Sequence, residues 1–84
     1  MVGKKELAQS VAMDIDISER CAKTLVDLVF EKIMVEVANG EEVNITGFGK
    51  FYRTKVAERT TFGHVTPAHN VPKFKPGKTF KETV

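Results

Sequence analysis

The hydrophobic period of the chain changes at Asn39-Gly40, and this change limits the possible folds most strongly. Before it, apolar residues recur every three or four positions, as on one face of a helix. After it, Val43 and Ile45 alternate with polar residues, as in a half-buried strand. Asn and Gly also favour the left-handed conformation that ends many helices. The sequence therefore predicts an α+β protein with its helices first.

Two helices are predicted within residues 1–40. The first covers Lys4 to Met13, and the Asp14-Ile15-Asp16-Ile17 stretch is expected to end it. Ser18 is the expected N-cap of the second helix, because its hydroxyl can accept from a free backbone N–H. The apolar stripe of this second helix consists of Ala22, Leu25, Val26, Val29, Phe30, Ile33 and Val37. Leu28, Met34 and Val35 make the stripe wider than one packing face requires, which predicts partners on two sides.

Strands are predicted for most of the remaining chain. Gly47-Phe48-Gly49 is expected to form a turn, and Lys50-Phe51-Tyr52 opens a second strand. Residues 53–70 are polar and β-prone with few apolar side chains, which predicts an exposed two-stranded arm. A third core strand is expected over Val71–Lys75, before a short closing helix over Gly77–Val84. The predicted order is ααβββα.

Neither a disulfide bond nor a structural metal ion is expected to stabilise this chain of 84 residues. The single cysteine, Cys21, cannot form an internal disulfide, and His64 and His69 do not complete a zinc site with it. A chain this short commonly gains stability by burying apolar surface against a second copy. The sequence therefore predicts an oligomer.

Charge is distributed unevenly along the chain. Residues 1–49 carry five basic and nine acidic side chains, whereas residues 50–84 carry eight basic and two acidic ones. The second half is thus expected to face a polyanion. No run of apolar residues is long enough to span a bilayer, and the charged start does not look like a signal peptide, so a cytoplasmic protein is expected.

Two motifs make the chain recognisable. Gly47-Phe48-Gly49-Lys50-Phe51 and Val71-Pro72-Lys73-Phe74-Lys75-Pro76-Gly77-Lys78 resemble the turn and strand motifs of the bacterial histone-like HU and integration host factor family. The resemblance covers nearly the whole chain and departs from the family between Arg59 and Thr66, where an Arg-Asn-Pro-x-Thr-Gly tip is usual. Here Thr60-Thr61-Phe62-Gly63-His64-Val65 replaces that tip in an arm several residues shorter.

The family resemblance implies an HU-like, nucleoid-associated homodimer whose arms embrace the minor groove of double-stranded DNA, bend it and condense it. The resemblance also implies a single domain over residues 1–84. This domain consists of a helical dimerisation part (1–40), a sheet with the arm (41–76) and a final helix (77–84). The expected dimer interface includes Leu25, Val29, Phe48, Phe51 and Phe74. The expected DNA-binding residues are Lys4, Arg53, Lys55, Arg59, Phe62, Lys73, Lys75, Lys78 and Lys81.

Phe62 is the one apolar candidate for DNA contact. With Gly63 it stands at the middle of the expected hairpin, where no core is available to bury it. It is expected either to act as a wedge between base pairs, as apolar side chains do in minor-groove binders, or to fold back onto its own arm.

Catalysis is not expected, because the sequence offers no nucleophile with a base, no carboxylate pair in a cleft and no metal-ligand set. Gly77-Lys78-Thr79 resembles the end of a phosphate-binding loop, but Pro72 stands where that loop needs its first glycine. No cofactor and no small-molecule substrate are therefore expected.

Two alternative functions remain open on the sequence alone. The short arm and the small net charge of +2 also fit an HU-fold dimer that acts mainly through protein partners. A binder of RNA or single-stranded DNA would interleave basic and aromatic residues on an exposed sheet, and Tyr52 and Phe62 are few for that purpose.

Overall fold

A computed structural model describes residues 1–84. The elements are α1 (Lys4–Ile15), α2 (Glu19–Ala38), β1 (Val43–Ile45), β2 (Gly49–Val56), β3 (Arg59–Thr61), β4 (His64–Thr66), β5 (His69–Pro76) and α3 (Lys78–Thr83). This order confirms the α+β class and the predicted succession of helices, strands and final helix. None of the helices combines the length and the apolar content needed to cross a membrane. The chain forms two compact units, residues 1–34 and 35–84.

Helix α1 is two residues longer than the sequence predicts. The Glu6 carboxylate accepts a hydrogen bond from the Gly3 N–H (2.9 Å) at its start. Hydrogen bonds from backbone N–H groups hold the pKa of Glu6 below its ordinary value. The helix does not end at Met13, because Asp16 alone takes the left-handed conformation (φ 55°) that stops it. Asp tolerates this conformation better than most residues, which explains why the helix stops at Asp16 and not earlier.

Both ends of α2 lie where the sequence predicts them. The Ser18 hydroxyl accepts from the Cys21 N–H (3.1 Å), which confirms Ser18 as the N-cap. At the other end, Gly40 adopts φ 89°, and the Glu41 N–H donates to the Glu36 carbonyl (3.0 Å). This left-handed glycine satisfies carbonyls that the end of a helix leaves free.

The first unit buries very little apolar surface. Its only buried side chains are those of Ala8 and Ala12 in α1 and Ala22 in α2. Val11, Ile17 and Val26 pack against them and are partly buried. Larger apolar side chains of α2 remain exposed to solvent, namely Leu25, Leu28, Val29, Phe30 and Met34. The wide apolar stripe predicted for α2 therefore has no partner within the unit over most of its width.

The second unit is built on an antiparallel sheet with the strand order β1-β2-β5. Strands β2 and β5 pair without interruption from Gly49↔Pro76 to Val56↔His69, so β5 is longer than the predicted Val71–Lys75. Strands β3 and β4 form a separate ribbon that begins at Arg59↔Thr66. Two residues intervene on each side between the paired regions, so the register continues without a bulge. The arm predicted over residues 53–70 is thus a ribbon that extends the core strands.

Four phenylalanines form the apolar cluster of the second unit. Phe48 stacks on Phe80 with ring centroids 5.1 Å apart, and Phe51 lies 4.7 Å from Phe74. Gly49 makes this packing possible, because a Cβ there would meet the Lys75 carbonyl oxygen at 2.6 Å and the Phe74 ring at 2.7 Å. Phe48 is nevertheless 40% exposed and Phe74 38% exposed. The four rings therefore pack against one another, but part of the cluster remains exposed to solvent.

Candidate nucleic-acid interface

One face of the sheet carries closely spaced basic side chains. In an antiparallel pair, residues directly opposite each other share a face. Lys50 is opposite Lys75, and Tyr52 is opposite Lys73. Asn44 of β1 pairs with Lys50 and continues the same face. The alternation of the strands therefore places three lysines, one tyrosine and one asparagine together, on the side away from Phe51 and Phe74.

Two further lysines extend this face into α3. Lys78 and Lys81 line one open hollow together with Lys50 and Lys75. The Gly77 N–H donates to the Phe48 carbonyl (2.8 Å), which fixes the start of α3 against the turn before β2. We call the set of Lys50, Lys73, Lys75, Lys78 and Lys81 the basic face.

Acidic side chains neutralise only part of the basic face. Lys50 lies 3.4 Å from the Glu42 carboxylate, and its Nζ is also 5.5 Å from the centre of the Tyr52 ring. Lys78 reaches Glu82 at 4.0 Å, although both side chains are largely exposed. Exposed pairs of this kind are weak and exchange readily with other ions. Lys73, Lys75 and Lys81 have no ion-pair partner in the chain.

Arg53 and Lys55 lie on the opposite face of the sheet, since they alternate with Tyr52 and Thr54 along β2. The Arg53 guanidinium donates a hydrogen bond to the Ala38 carbonyl (2.8 Å). A Cβ on Gly40 would lie 3.0 Å from the same guanidinium. Arg53 thus caps the carbonyl end of α2, a contact that was not predicted from the sequence.

Arg59, the one charged residue of the β3–β4 ribbon, lies on the same side as Arg53 and Lys55. Because the register of the ribbon continues, Arg59 and His64 follow this side, whereas Thr60 and Val65 lie on the other. All four residues are exposed. The ribbon therefore has a polar side that carries one positive charge, and an uncharged, β-branched side.

Phe62 occupies the tip of the arm in a conformation that is unusual for its type. Phe62 (φ 51°) and Gly63 (φ 80°) both have positive φ, as in the two central residues of a type I′ turn. A bulky residue at positive φ is strained, and Asn or Asp is preferred there. The Phe62 ring is 98% exposed, so it does not fold back onto the arm.

Lys4 belongs to the first unit and is already paired. Its Nζ lies 3.1 Å from an Asp27 carboxylate oxygen, and this oxygen is buried with no other partner. Both side chains remain partly exposed. Any anion that binds Lys4 must therefore compete with Asp27.

Lys50, Tyr52 and Asn44 are members of the candidate interface that were not predicted from the sequence. The alternation of side chains along a strand could have identified Lys50 and Tyr52. Phe51 is expected in the core, so its two neighbours must point to the other face of the strand. The positions of Lys50 and Tyr52 opposite Lys75 and Lys73, and of Asn44 opposite Lys50, depend on the strand register, which cannot be read from the sequence alone.

Three comparisons with known proteins bear on this arrangement. The family model described as bacterial DNA-binding protein matches residues 2–84. The chain belongs to this family. DNA-binding protein HU of Thermotoga maritima is 40% identical, with 96% of this chain and 97% of that protein aligned. DNA-binding protein HU of Staphylococcus aureus is 37% identical, with 99% of each chain aligned.

Solved structures of HU proteins agree with the fold. The cocrystal structure of Anabaena HU with DNA superimposes with a TM-score of 0.86, at 28% identity, over 98% of this chain and 96% of that one. HU from Thermotoga maritima gives a TM-score of 0.71 at 35% identity, over 98% and 97% of the two chains. The predicted HU-like fold and family are confirmed. As a member of this family the chain is a non-catalytic DNA-binding protein, and the alternative role through protein partners is not favoured.

Removal of the Arg53 side chain tests its contact with α2. Arg53→Ala is expected to lower the free energy of unfolding by about 1 kcal/mol, because the Ala38 carbonyl loses its charged donor. Lys55→Ala removes the same charge two residues along the same face and should change stability little. Urea unfolding followed by circular dichroism measures both variants. Equal stabilities of the two variants would contradict the capping role of Arg53.

Proposed function

We propose that two copies of this chain form an architectural protein that binds duplex DNA through the basic face and the arms, and bends it. The observation that carries the proposal is the convergence of five lysines on one face of the second unit. The proposed place of action is the nucleoid in the cytoplasm. Membership of the bacterial DNA-binding protein family and similarity to an HU that was crystallised with DNA support this role.

Dimerisation follows from the apolar surface that one chain leaves uncovered. Leu25 and Val29 on α2 are 46% and 57% exposed. Phe48 and Phe74 of the aromatic cluster are also partly exposed, and Phe51 packs against both of them. An exposed apolar surface of this extent marks an interaction site in a soluble protein. We assign all five residues to the interface between two copies of the chain.

The dimer makes a specific prediction about Phe48. Phe48→Ala is expected to lower the free energy of unfolding by about 3 kcal/mol or more, as for a large cavity in a buried interface. In a lone chain the loss would be smaller, because Phe48 is 40% exposed there. The unfolding midpoint of the wild-type protein should also rise with protein concentration. A folded 9.4 kDa monomer at micromolar concentration in light scattering would refute the dimer.

Binding is expected to depend on phosphate contacts rather than on base sequence. Lys73, Lys75 and Lys81 have no internal partner, so they can neutralise phosphates without losing an ion pair. The contacts of Lys50 and Lys78 with Glu42 and Glu82 are weak enough to be replaced. Each phosphate that is neutralised releases counterions, and this release makes the affinity depend on salt.

Lys75→Ala tests the basic face. We expect weaker binding to all duplex sequences alike, with the slope of log affinity against log salt reduced by about one unit for each phosphate that is no longer neutralised. Lys32→Ala, which removes an equal charge from an exposed position on α2, is the control and should keep the wild-type slope. Mobility-shift titrations over a range of salt concentrations measure the slopes. Loss of binding to one sequence only would contradict the proposal.

Lys4 and the charged side of the arm, with Lys55 and Arg59, are assigned secondary roles. Lys4 must first leave Asp27, whereas Lys55 and Arg59 have no ion-pair partner. Arg53 is bound to the Ala38 carbonyl and contributes to the interface mainly by its charge. The tip of the arm contains no proline, although the family resemblance implies one there, and the alignment with Staphylococcus aureus HU runs over 89 positions against 84 residues in this chain. This difference supports a shortened arm.

Phe62 is the proposed wedge that distorts the DNA. The Phe62 ring is almost fully exposed, and the backbone at Phe62 has a strained positive φ, although Asn would suit the turn better. Strain that folding does not require is a mark of function. An apolar wedge unstacks one base step at a cost of a few kcal/mol, which is recovered when the bent duplex meets more of the basic surface. A short arm recovers less, so we expect a modest bend and a preference for nicked DNA.

Substitution of Phe62 by Asn separates stability from bending. Phe62→Asn is expected to relieve the strain and raise the unfolding midpoint, while it reduces both the DNA bend and the preference for nicked duplex. Phe62→Ala should also reduce the bend but without the gain in stability. Neither change removes a charge, so the salt slope should stay the same. Energy transfer across an end-labelled duplex measures the bend, and an unchanged bend in both variants would refute the wedge.

A further inference from the structure

His69 lies on the side of the sheet that the basic face occupies. It is opposite Val56, at the end of the β2–β5 pair from which the arm continues. Alternate residues of a strand point to the same face, so His69, Lys73 and Lys75 share one side of β5. His69 is also exposed to solvent. It therefore extends the side of the basic face toward the tip of the arm.

A hydrogen bond to the backbone determines which ring nitrogen of His69 is free. Its Nδ1 lies 3.0 Å from the Pro67 carbonyl oxygen. A carbonyl oxygen only accepts hydrogen bonds, so Nδ1 carries a proton and Nε2 is the nitrogen that gains or loses one. Protonation of Nε2 keeps the bond to Pro67 and changes Nε2 from an acceptor into a charged donor.

His69 is the only residue on its side of the arm that can become positively charged. The neighbours on this side are Thr54 and Val56 of β2 and Val71 of β5, and the ribbon continues the side with Thr60 and Val65. Glu58, which follows β2, is the one acidic residue within residues 53–70, and it forms no ion pair. Lys73, opposite Tyr52, is four residues along β5, roughly 13 Å away. The positive charge on this side of the arm therefore depends on the protonation of His69.

We propose that His69 is a pH-dependent contact for duplex DNA, which binds a backbone phosphate when Nε2 is protonated and releases it when Nε2 is neutral. The inference rests on the proposed function, because it concerns how the arm holds the same DNA. Histidine is the side chain whose charge ordinarily changes between pH 5 and 8, whereas the DNA phosphate stays anionic over this range. The ion pair therefore forms at the acid end of the range and is lost as the pH rises. A protonated imidazole also donates a charge-assisted hydrogen bond to a phosphate oxygen.

Affinity for one duplex, measured at pH 6 and at pH 8, tests the contact. The wild-type affinity should fall by about two- to fivefold for each arm between these values, which is the range of an exposed ion pair. The slope of log affinity against log salt should fall by about 0.9 for each phosphate that is released. His69→Gln keeps a hydrogen-bonding group without the charge, so it should lose most of this pH dependence. His64→Gln is the matched control, because it removes the histidine on the other side of the arm, and should keep the wild-type behaviour.

Proton uptake gives a second and independent measurement. If the phosphate stabilises protonated His69, binding near neutral pH takes up protons, and calorimetry in buffers of different ionisation enthalpy measures this uptake. We expect uptake by the wild-type protein and His64→Gln, and much less by His69→Gln. If His69→Gln keeps the pH dependence and the uptake, or if His64→Gln loses them, the inference is wrong. If the wild-type protein shows no salt-dependent binding to duplex DNA at either pH, the proposed function fails instead.

Discussion

The structure depends on apolar surface that a single chain cannot bury. Three alanines are the only buried apolar residues of the whole chain, and they contribute little area. The large apolar side chains of α2 and the phenylalanine cluster are assembled on surfaces that remain open to solvent. A second copy of the chain covers such surfaces most simply, because it supplies the same apolar face. Without a second copy, neither unit has a substantial apolar core, and the sheet and its arm lack the packing that would hold them in place.

Side chains alternate between the two faces of the sheet, and this alternation places the apolar surface opposite the basic face. Phe51 and Phe74 face each other on one side of the β2–β5 pair, so Lys50 and Lys75 must face each other on the other side. Gly49 allows the close approach at the end of this pair, and the uninterrupted register carries the alternation into the arm. At the Gly49–Pro76 end of the pair, this backbone arrangement therefore produces an apolar side for assembly and a basic side for a polyanion. Further along β2, Arg53 and Lys55 lie on the side of Phe51.

Much of this arrangement could be predicted from the sequence, and the exceptions have physical reasons. Ser18 and Gly40 were predictable because caps depend on local backbone chemistry. The bond between Arg53 and Ala38 was not, because it joins residues fifteen positions apart that only the fold brings together. Phe62 was placed at the tip, but its positive φ could not be expected, since phenylalanine is a poor residue for that conformation.

The central claim is that two chains act together on one duplex, and the composition of the complex tests it most directly. Sedimentation of the protein with a short labelled duplex, at low salt, gives the mass of the complex and the number of chains bound. We predict two chains per duplex, with dissociation as the salt concentration rises. A complex with one chain per duplex, or no complex at a concentration where the protein is dimeric, would contradict the account.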